Sequence, residues 1–353
     1  MMKSFFQGKR ILITGHTGFK GTWLCQMLSY CGARLYGFAL PDSGTEFWRS
    51  ADAPVGSFWG DIRERSAIAE AVKKCRPEII IHLASHSTVN QGQELTHYIF
   101  ETNGMGVVNL LEAVRGTEDV RAVLVVTSDK CYRNRETNVP YTENCGFGAQ
   151  DPYSASKAVQ ELVSECYWNS FFRDSNVKIG TARASNVIGG GDFNRTRLFP
   201  SLIASFLQGE TAQIRNPYAI RPWQNVLDVL YGYMLYVTCL YDGELEGGEM
   251  PAFNFGPGAD GFVTVQEVAD MLCEIFPEGR YQVSGNNTVK ETNILKLDSG
   301  RAKEILGWKP RYCFAETIRM TAEFEQRYAN GQTAKEICRN YISDYFGGLY
   351  GEI

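Results

Sequence analysis

The sequence predicts an α/β chain, a Rossmann-type doubly wound parallel sheet with a smaller C-terminal α/β domain. Three observations carry that reading. Short runs of Ile, Val and Leu without alternation recur at 10–14, 35–40, 78–84, 121–128 and 177–184, as strands buried on both faces require. The segments between them are long enough for right-handed crossover helices. A glycine-rich turn follows the first run directly.

The first run enters Gly15-His16-Thr17-Gly18-Phe19-Lys20-Gly21 and then an apolar helical stretch beginning at Trp23. Glycines there permit a tight turn and let backbone N–H groups approach a pyrophosphate at the positive end of the helix. Strand, GxxGxxG turn and helix in that order therefore point to a dinucleotide cofactor. The second run ends Phe38-Ala39-Leu40-Pro41-Asp42, where Asp42 can reach a ribose hydroxyl; the next Arg is Arg49, so NAD is expected in preference to NADP. Farther on, Asp61 can accept from an adenine amino group or cap the helix that follows.

The fourth run ends Thr127-Ser128-Asp129-Lys130-Cys131-Tyr132, at the carboxyl end of a parallel strand, where such sheets place their chemistry. Ser128 can hydrogen-bond a substrate hydroxyl. Asp129 and Lys130 supply a carboxyl and an amine fit for acid and base, or they form a solvated turn. Asp151-Pro152 then opens a helix on which Tyr153 and Lys157, four apart, share a face. An ammonium at that spacing lowers a phenol's pKa and lets the phenolate take a proton from a sugar hydroxyl.

Past Val187 the texture changes to Gly189-Gly190-Gly191 and then to Arg- and aromatic-rich segments, with helices expected at 198–207, 226–241, 265–275 and 317–328. The domains expected are 1–187 and 188–353, with segments near 220–230 and 252–257 returning to complete the first sheet. Arg197, Arg215 and Arg221 suit a diphosphate clamp, each with a structural ion pair as its alternative, and Trp223 can cover a sugar or base.

With 353 residues, 44% apolar and 21% charged, the chain can bury a full core. A net charge of −5 supplies no basic field for nucleic acid or an anionic membrane. The ten cysteines are scattered without a CxxC pair and only four histidines accompany them, so neither a metal site nor a disulfide framework is expected. The N-terminus shows no leader pattern and no apolar run reaches the ~18 residues of a membrane span. A cytoplasmic enzyme is the class expected.

The stretches GHTGFKGTWL (15–24), TSDKCY (127–132), DPYSASKA (151–158), NVIGGGD (186–192), IRNPYAIRPWQNVLD (214–228), FNFGP (253–257) and LGWKPR (306–311) run nearly end to end. Together they resemble the NAD-dependent epimerase/dehydratase family of extended short-chain dehydrogenases/reductases, at its nucleotide-sugar 4,6-dehydratase branch, with CDP-glucose as the implied substrate. The resemblance implies Ser128, Asp129, Lys130, Tyr153 and Lys157 as catalytic residues. It implies NAD held by Gly15, Thr17, Gly18, Phe19, Lys20, Gly21, Asp61, Ile62, Leu83, Ala84 and Ser85 together with Tyr153 and Lys157. A nucleotide-diphosphate sugar would be met by His86, Asn90, Asn186, Arg197, Arg215, Arg221 and Trp223. His86 and Asn90 stand where the family tends to carry Gln and Arg, and Ser185 where it usually carries Gly. The resemblance also implies a homodimer paired through helices near 103–115 and 154–172. A nucleotide-sugar 4-epimerase shares the fold and the Tyr–Lys pair without needing Asp129-Lys130, and a non-catalytic NAD-binding relative would need none of them.

Overall fold

The computed structural model describes residues 2–41, 43–87, 94–148, 150–245, 247–284 and 294–350. Among them the first 184 residues supply strands β1 (Arg10–Thr14), β2 (Arg34–Ala39), β3 (Val55–Trp59), β4 (Ile79–His82), β5 (Ala122–Val126) and β6 (Lys178–Ala184). The second half supplies β7 (Asn186–Ile188), β8 (Thr211–Ile214), β9 (Ile220–Asn225), β10 (Ala252–Phe255), β11 (Phe262–Thr264) and β12 (Arg280–Val283). The main sheet has seven strands in the order β10-β6-β5-β4-β1-β2-β3, all its pairs parallel. Strand order reverses between β1 and β4, so a crevice opens beyond their carboxyl ends.

β4 and β5 are buried throughout because helices cover both faces. On one face the helices Phe19–Tyr30, Val226–Asp242 and Ala334–Tyr350 pack Trp23, Leu24, Leu230, Tyr233 and Phe346 against the sheet. On the other, Arg65–Cys75 and Gly106–Val114 bring Ile68, Val72, Leu110 and Val114. A third core, with Ile188, Leu202, Ile214, Val268 and Ile318, lies within the smaller lobe.

The first strand, the helices Leu198–Leu207 and Val265–Ile275 and the returning strand β10 fall on the expected residues. The segment near 220–230 does not join the main sheet. Its strand, β9, pairs with β7 and β11 in a separate three-stranded sheet, and only the helix that follows packs under the first lobe. The boundary expected at 187/188 is crossed three times, because Val226–Asp242, β10 and Ala334–Tyr350 all return to the first lobe. No helix among the described residues is long and apolar enough to cross a membrane.

Candidate functional site

The glycine turn is shaped by close backbone approach. Gly15 has φ +72°, and a Cβ on it would stand 2.8 Å from the amide nitrogen of Ala84; a Cβ on Gly21 would stand 2.2 Å from the Gly15 carbonyl oxygen. Both positions therefore demand glycine. The Ala84 N–H donates to Thr14 Oγ1 at 3.1 Å, which ties the turn to the end of β4. Gly18 is the N-cap of Phe19–Tyr30 and offers no side chain to cap it, so the first-turn N–H groups stay available to an anion. Thr17 Oγ1 meets Ser43 Oγ at 3.0 Å, closing the turn against the loop after β2. This cradle fits the pyrophosphate of a dinucleotide, with Gly15, Thr17, Gly18, Phe19, Lys20 and Gly21 around it.

Asp61 lies beyond β3 but does not cap the next helix, whose N-cap is Glu64. Its carboxylate holds Arg63 at 2.6 Å, which keeps it below the usual carboxylate range. Ile62 packs into the second core, and its carbonyl accepts from Asn109 Nδ2 at 3.0 Å.

Asp151 caps the helix Pro152–Tyr167 by accepting from the Ser154 N–H at 2.9 Å, and Pro152 begins its first turn. Tyr153, Lys157 and Glu161 follow one face of that helix. Lys157 Nζ donates to Ser85 Oγ and to Gln160 Oε1, each at 2.8 Å, and lies 5.8 Å from the Tyr153 ring centre. The expectation that this ammonium depresses the phenol pKa is corrected. Burial, aided by the Asp129 charge, pushes Tyr153 up to about 12, with the neighbouring Ser128 acting the other way. Burial and the neighbouring charge of Lys20 instead bring Lys157 down to about 7.

Ser128 caps the one-turn 3-10 helix Asp129–Cys131. Its Oγ donates to Asp129 Oδ1 at 2.8 Å, and Ser128 also stands next to the Tyr153 phenol. Asp129 is 2% exposed, its Oδ2 has no hydrogen-bond partner, and burial raises its pKa against the opposing charges of Lys130 and Arg221. Lys130 is half-buried. The solvated-turn alternative for Asp129-Lys130 is thereby removed. Lys20 reaches beyond the phosphate turn to this group: its Nζ lies 5.8 Å from the Tyr233 ring, and burial and Arg197 lower its pKa to about 8.

On the substrate side, Arg197 spans Asp192 Oδ2 at 2.8 Å and Ser87 Oγ at 2.9 Å. Arg221 is buried in β9 with its charge felt at Asp129, whereas Arg215 stands exposed where β8 ends. Asn186 opens β7 in register with Trp223. Trp223 packs in a T-shaped pair with Phe199, ring centres 5.2 Å apart, in the third core. His86 meets Tyr98 edge-on, and Ser185 Oγ accepts from Gln224 Nε2 at 2.6 Å. Asn90 and Asp42 lie outside the described residues. Among those described, no group of three His, Cys, Asp or Glu residues is placed to hold a metal.

Sequence reasoning missed Asn103, buried in a π-helical turn, Phe100–Met105. Its Oδ1 accepts from the His86 N–H at 2.8 Å and from Ser85 Oγ, while Nδ2 donates to Ser156 Oγ at 2.8 Å, locking the loop after β4 to the Tyr153 helix. Its one signal is an amide within an apolar helical stripe.

The profile of the NAD dependent epimerase/dehydratase family matches residues 11–245. A CDP-glucose 4,6-dehydratase of Salmonella typhimurium is 39% identical over 97% of this chain and 98% of its own. A dTDP-glucose 4,6-dehydratase of Xanthomonas campestris is 25% identical over 78% and 79%. Among solved structures, the UDP-glucose 4-epimerase of Thermotoga maritima with UDP-glucose superposes with a TM-score of 0.79 at 22% identity, covering 91% of this chain and 99% of that one. The dTDP-glucose 4,6-dehydratase of Bacillus anthracis in complex with NAD gives 0.77 at 20% identity, covering 92% and 98%. These structural likenesses carry the fold.

Proposed function

The chain belongs to the NAD dependent epimerase/dehydratase family, and from that premise we propose that it is a nucleotide-sugar 4,6-dehydratase converting CDP-glucose to CDP-4-keto-6-deoxyglucose. The observation that carries the reading is the buried Ser128–Asp129 hydrogen bond beside the Tyr153 phenol, with Lys130 next to it, because an oxidation at C4 alone has no use for that carboxyl.

NAD held in the glycine cradle would supply the hydride acceptor and then the hydride donor, at C4 and C6 of the sugar. Tyr153 receives the O4 proton as C4 becomes a ketone, which acidifies the C5 hydrogen. Lys130 takes that C5 proton and Asp129 protonates the departing C6 hydroxyl, so the C6–O bond breaks and water leaves. Lys130 then returns a proton to C5. After one cycle Tyr153 has gained the proton that Asp129 has lost, and Ser128, hydrogen-bonded to Asp129 and next to Tyr153, can pass it back. Burial suits Asp129 to its part, since it favours the protonated acid that must donate. Arg197 and Arg221 are the diphosphate contacts, with Asn186 nearby. The protein works as a homodimer in the cytoplasm, joined through the helices near 103–115 and 154–172, which carry the exposed apolar side chains Met105, Leu162 and Phe171.

The test is a panel of CDP-, dTDP-, UDP- and GDP-glucose with added NAD, followed by the base-induced absorbance of a 4-keto sugar. CDP-glucose should respond with the highest kcat/KM. A 4-epimer in place of a keto product would support the epimerase reading, and silence across the panel with NAD bound would leave a binding protein.

A further inference from the structure

Beneath the reacting groups lies an ion pair that the mechanism above does not use. Glu161 is 1% and Arg183 5% exposed at the side chain, and Arg183 Nη2 donates to Glu161 Oε2 at 2.8 Å. Glu161 sits one helical turn beyond Lys157, on the Tyr153 face. Its carboxylate also accepts from the hydroxyls of Thr127 and, at 2.8 Å, Thr181. Thr127 immediately precedes Ser128. On the other side, Arg183 Nη1 donates to Tyr132 Oη at 2.8 Å and to the Glu143 carbonyl at 3.2 Å, and Tyr132 Oη donates to Asn254 Oδ1 at 2.7 Å. Tyr132 is two residues past Lys130. One buried pair thus grips the acid–amine turn at both ends, Glu161 at Thr127 and Arg183 at Tyr132, while Glu161 belongs to the helix that bears Tyr153 and Lys157.

Resting on the dehydratase reading, we infer that Glu161 and Arg183 are positioning residues that register Asp129 and Lys130 against Tyr153 and Lys157, so that elimination at C5 and C6 occurs on the same sugar that is oxidised at C4. The geometry separates the two steps. Tyr153 and Lys157 take their places from their own helix and its cap, whereas Asp129 and Lys130 sit on a single 3-10 turn whose register depends on Thr127 and Tyr132. Loosening that turn should harm elimination and spare oxidation. A purely structural pair would harm both alike.

Removing Arg183 outright would bury an unpaired carboxylate and risk unfolding. The informative variants are Tyr132→Phe and Thr127→Val, each deleting one hydroxyl contact, with Thr127→Ser as the rescue. In a single turnover with CDP-glucose in deuterated water, the appearance of reduced nicotinamide reports C4 oxidation, and deuterium at C5 of a 6-deoxy product reports elimination. Oxidation should stay within about twofold of the unaltered protein while elimination falls at least tenfold, so reduced cofactor accumulates; Thr127→Ser should recover elimination. Equal loss of both steps, or no loss of either, in variants whose Tm is unchanged would overturn the inference. If the variants melt lower, the same ratio of the two rates, measured below their transition, decides it. An unaltered protein that oxidises no sugar, or oxidises one without eliminating, overturns the dehydratase reading and this inference with it.

Discussion

At the scale of single residues, the site turns on where one proton rests. Ser128 donates to Asp129, and burial together with the Asp129 charge holds the Tyr153 phenol near 12, so in the resting site the phenol keeps its proton. Passing it through Ser128 creates phenolate and carboxylic acid together, the pair that the first chemical steps require. Replacing Ser128 with Ala should therefore lower kcat by about 10²-fold, within the ordinary range for lost proton transfer, with KM for the sugar little changed. Steady-state kinetics with CDP-glucose checks this, and a kcat within twofold of the unaltered protein would contradict it. These residues were legible because each stands at the end of a strand or the start of a helix whose pattern is plain. What was not legible was their environment. Nothing in the Tyr153-to-Lys157 spacing reveals that Lys157 bonds Ser85 and Gln160, and nothing in GHTGFKG reveals that the Lys20 charge reaches Lys157. The packing of Trp223 was hidden for the same reason, since its burial beside Phe199 depends on a lobe formed by distant segments.

At the scale of elements, the helix Pro152–Tyr167 is set by its cap. Asp151 accepts from the Ser154 N–H and from its hydroxyl, so Asp151→Ala should cost about 0.5–2 kcal/mol of stability and should reduce kcat more than it raises KM, because the first turn carries Tyr153. Chemical denaturation and kinetics on one preparation measure both. The glycine turn is less forgiving. Gly21→Ala would drive a Cβ to 2.2 Å from the Gly15 carbonyl oxygen, forcing a backbone shift of the kind that costs about 1–3 kcal/mol, and NAD affinity by calorimetry should fall along with Tm. Periodicity made the long runs readable: helix 198–207 and strand 10–14 are found on the residues expected. β3 escaped notice because Gly56 and Ser57 interrupt its apolar pattern and its place at the sheet edge leaves it only partly covered. The strand 220–225 was assigned to the wrong sheet because a buried strand's composition does not say which sheet buries it.

At the scale of the whole molecule, the two lobes are joined by segments that cross back, and the joins contain buried acids. Glu325, on the helix Phe314–Ala329, accepts from the Gly191 N–H at 2.8 Å and is raised by burial to about 7. Asp228 accepts from the Tyr312 N–H and the Tyr345 hydroxyl and is raised by burial to about 6. A carboxyl whose folded pKa exceeds its unfolded value stabilises fully below the unfolded pKa, and that contribution is lost as pH rises through the folded one. These two groups should therefore lower Tm between about pH 4.5 and 7, and Glu325→Gln should flatten part of that fall; an unchanged slope in a pH series of thermal melts would contradict the assignment. The expected dimer predicts that Leu162→Glu yields monomers in sedimentation, since that apolar side chain is 53% exposed on the isolated chain. The central claim, that oxidation and elimination meet at one sugar, is tested most directly by incubating the protein and NAD with CDP-glucose in deuterated water and reading the product by NMR. The account predicts a 4-keto-6-deoxy sugar carrying one deuterium at C5, with the hydrogen from C4 delivered to C6. Recovered CDP-glucose, or its C4 epimer with hydrogen retained at C5, would contradict it.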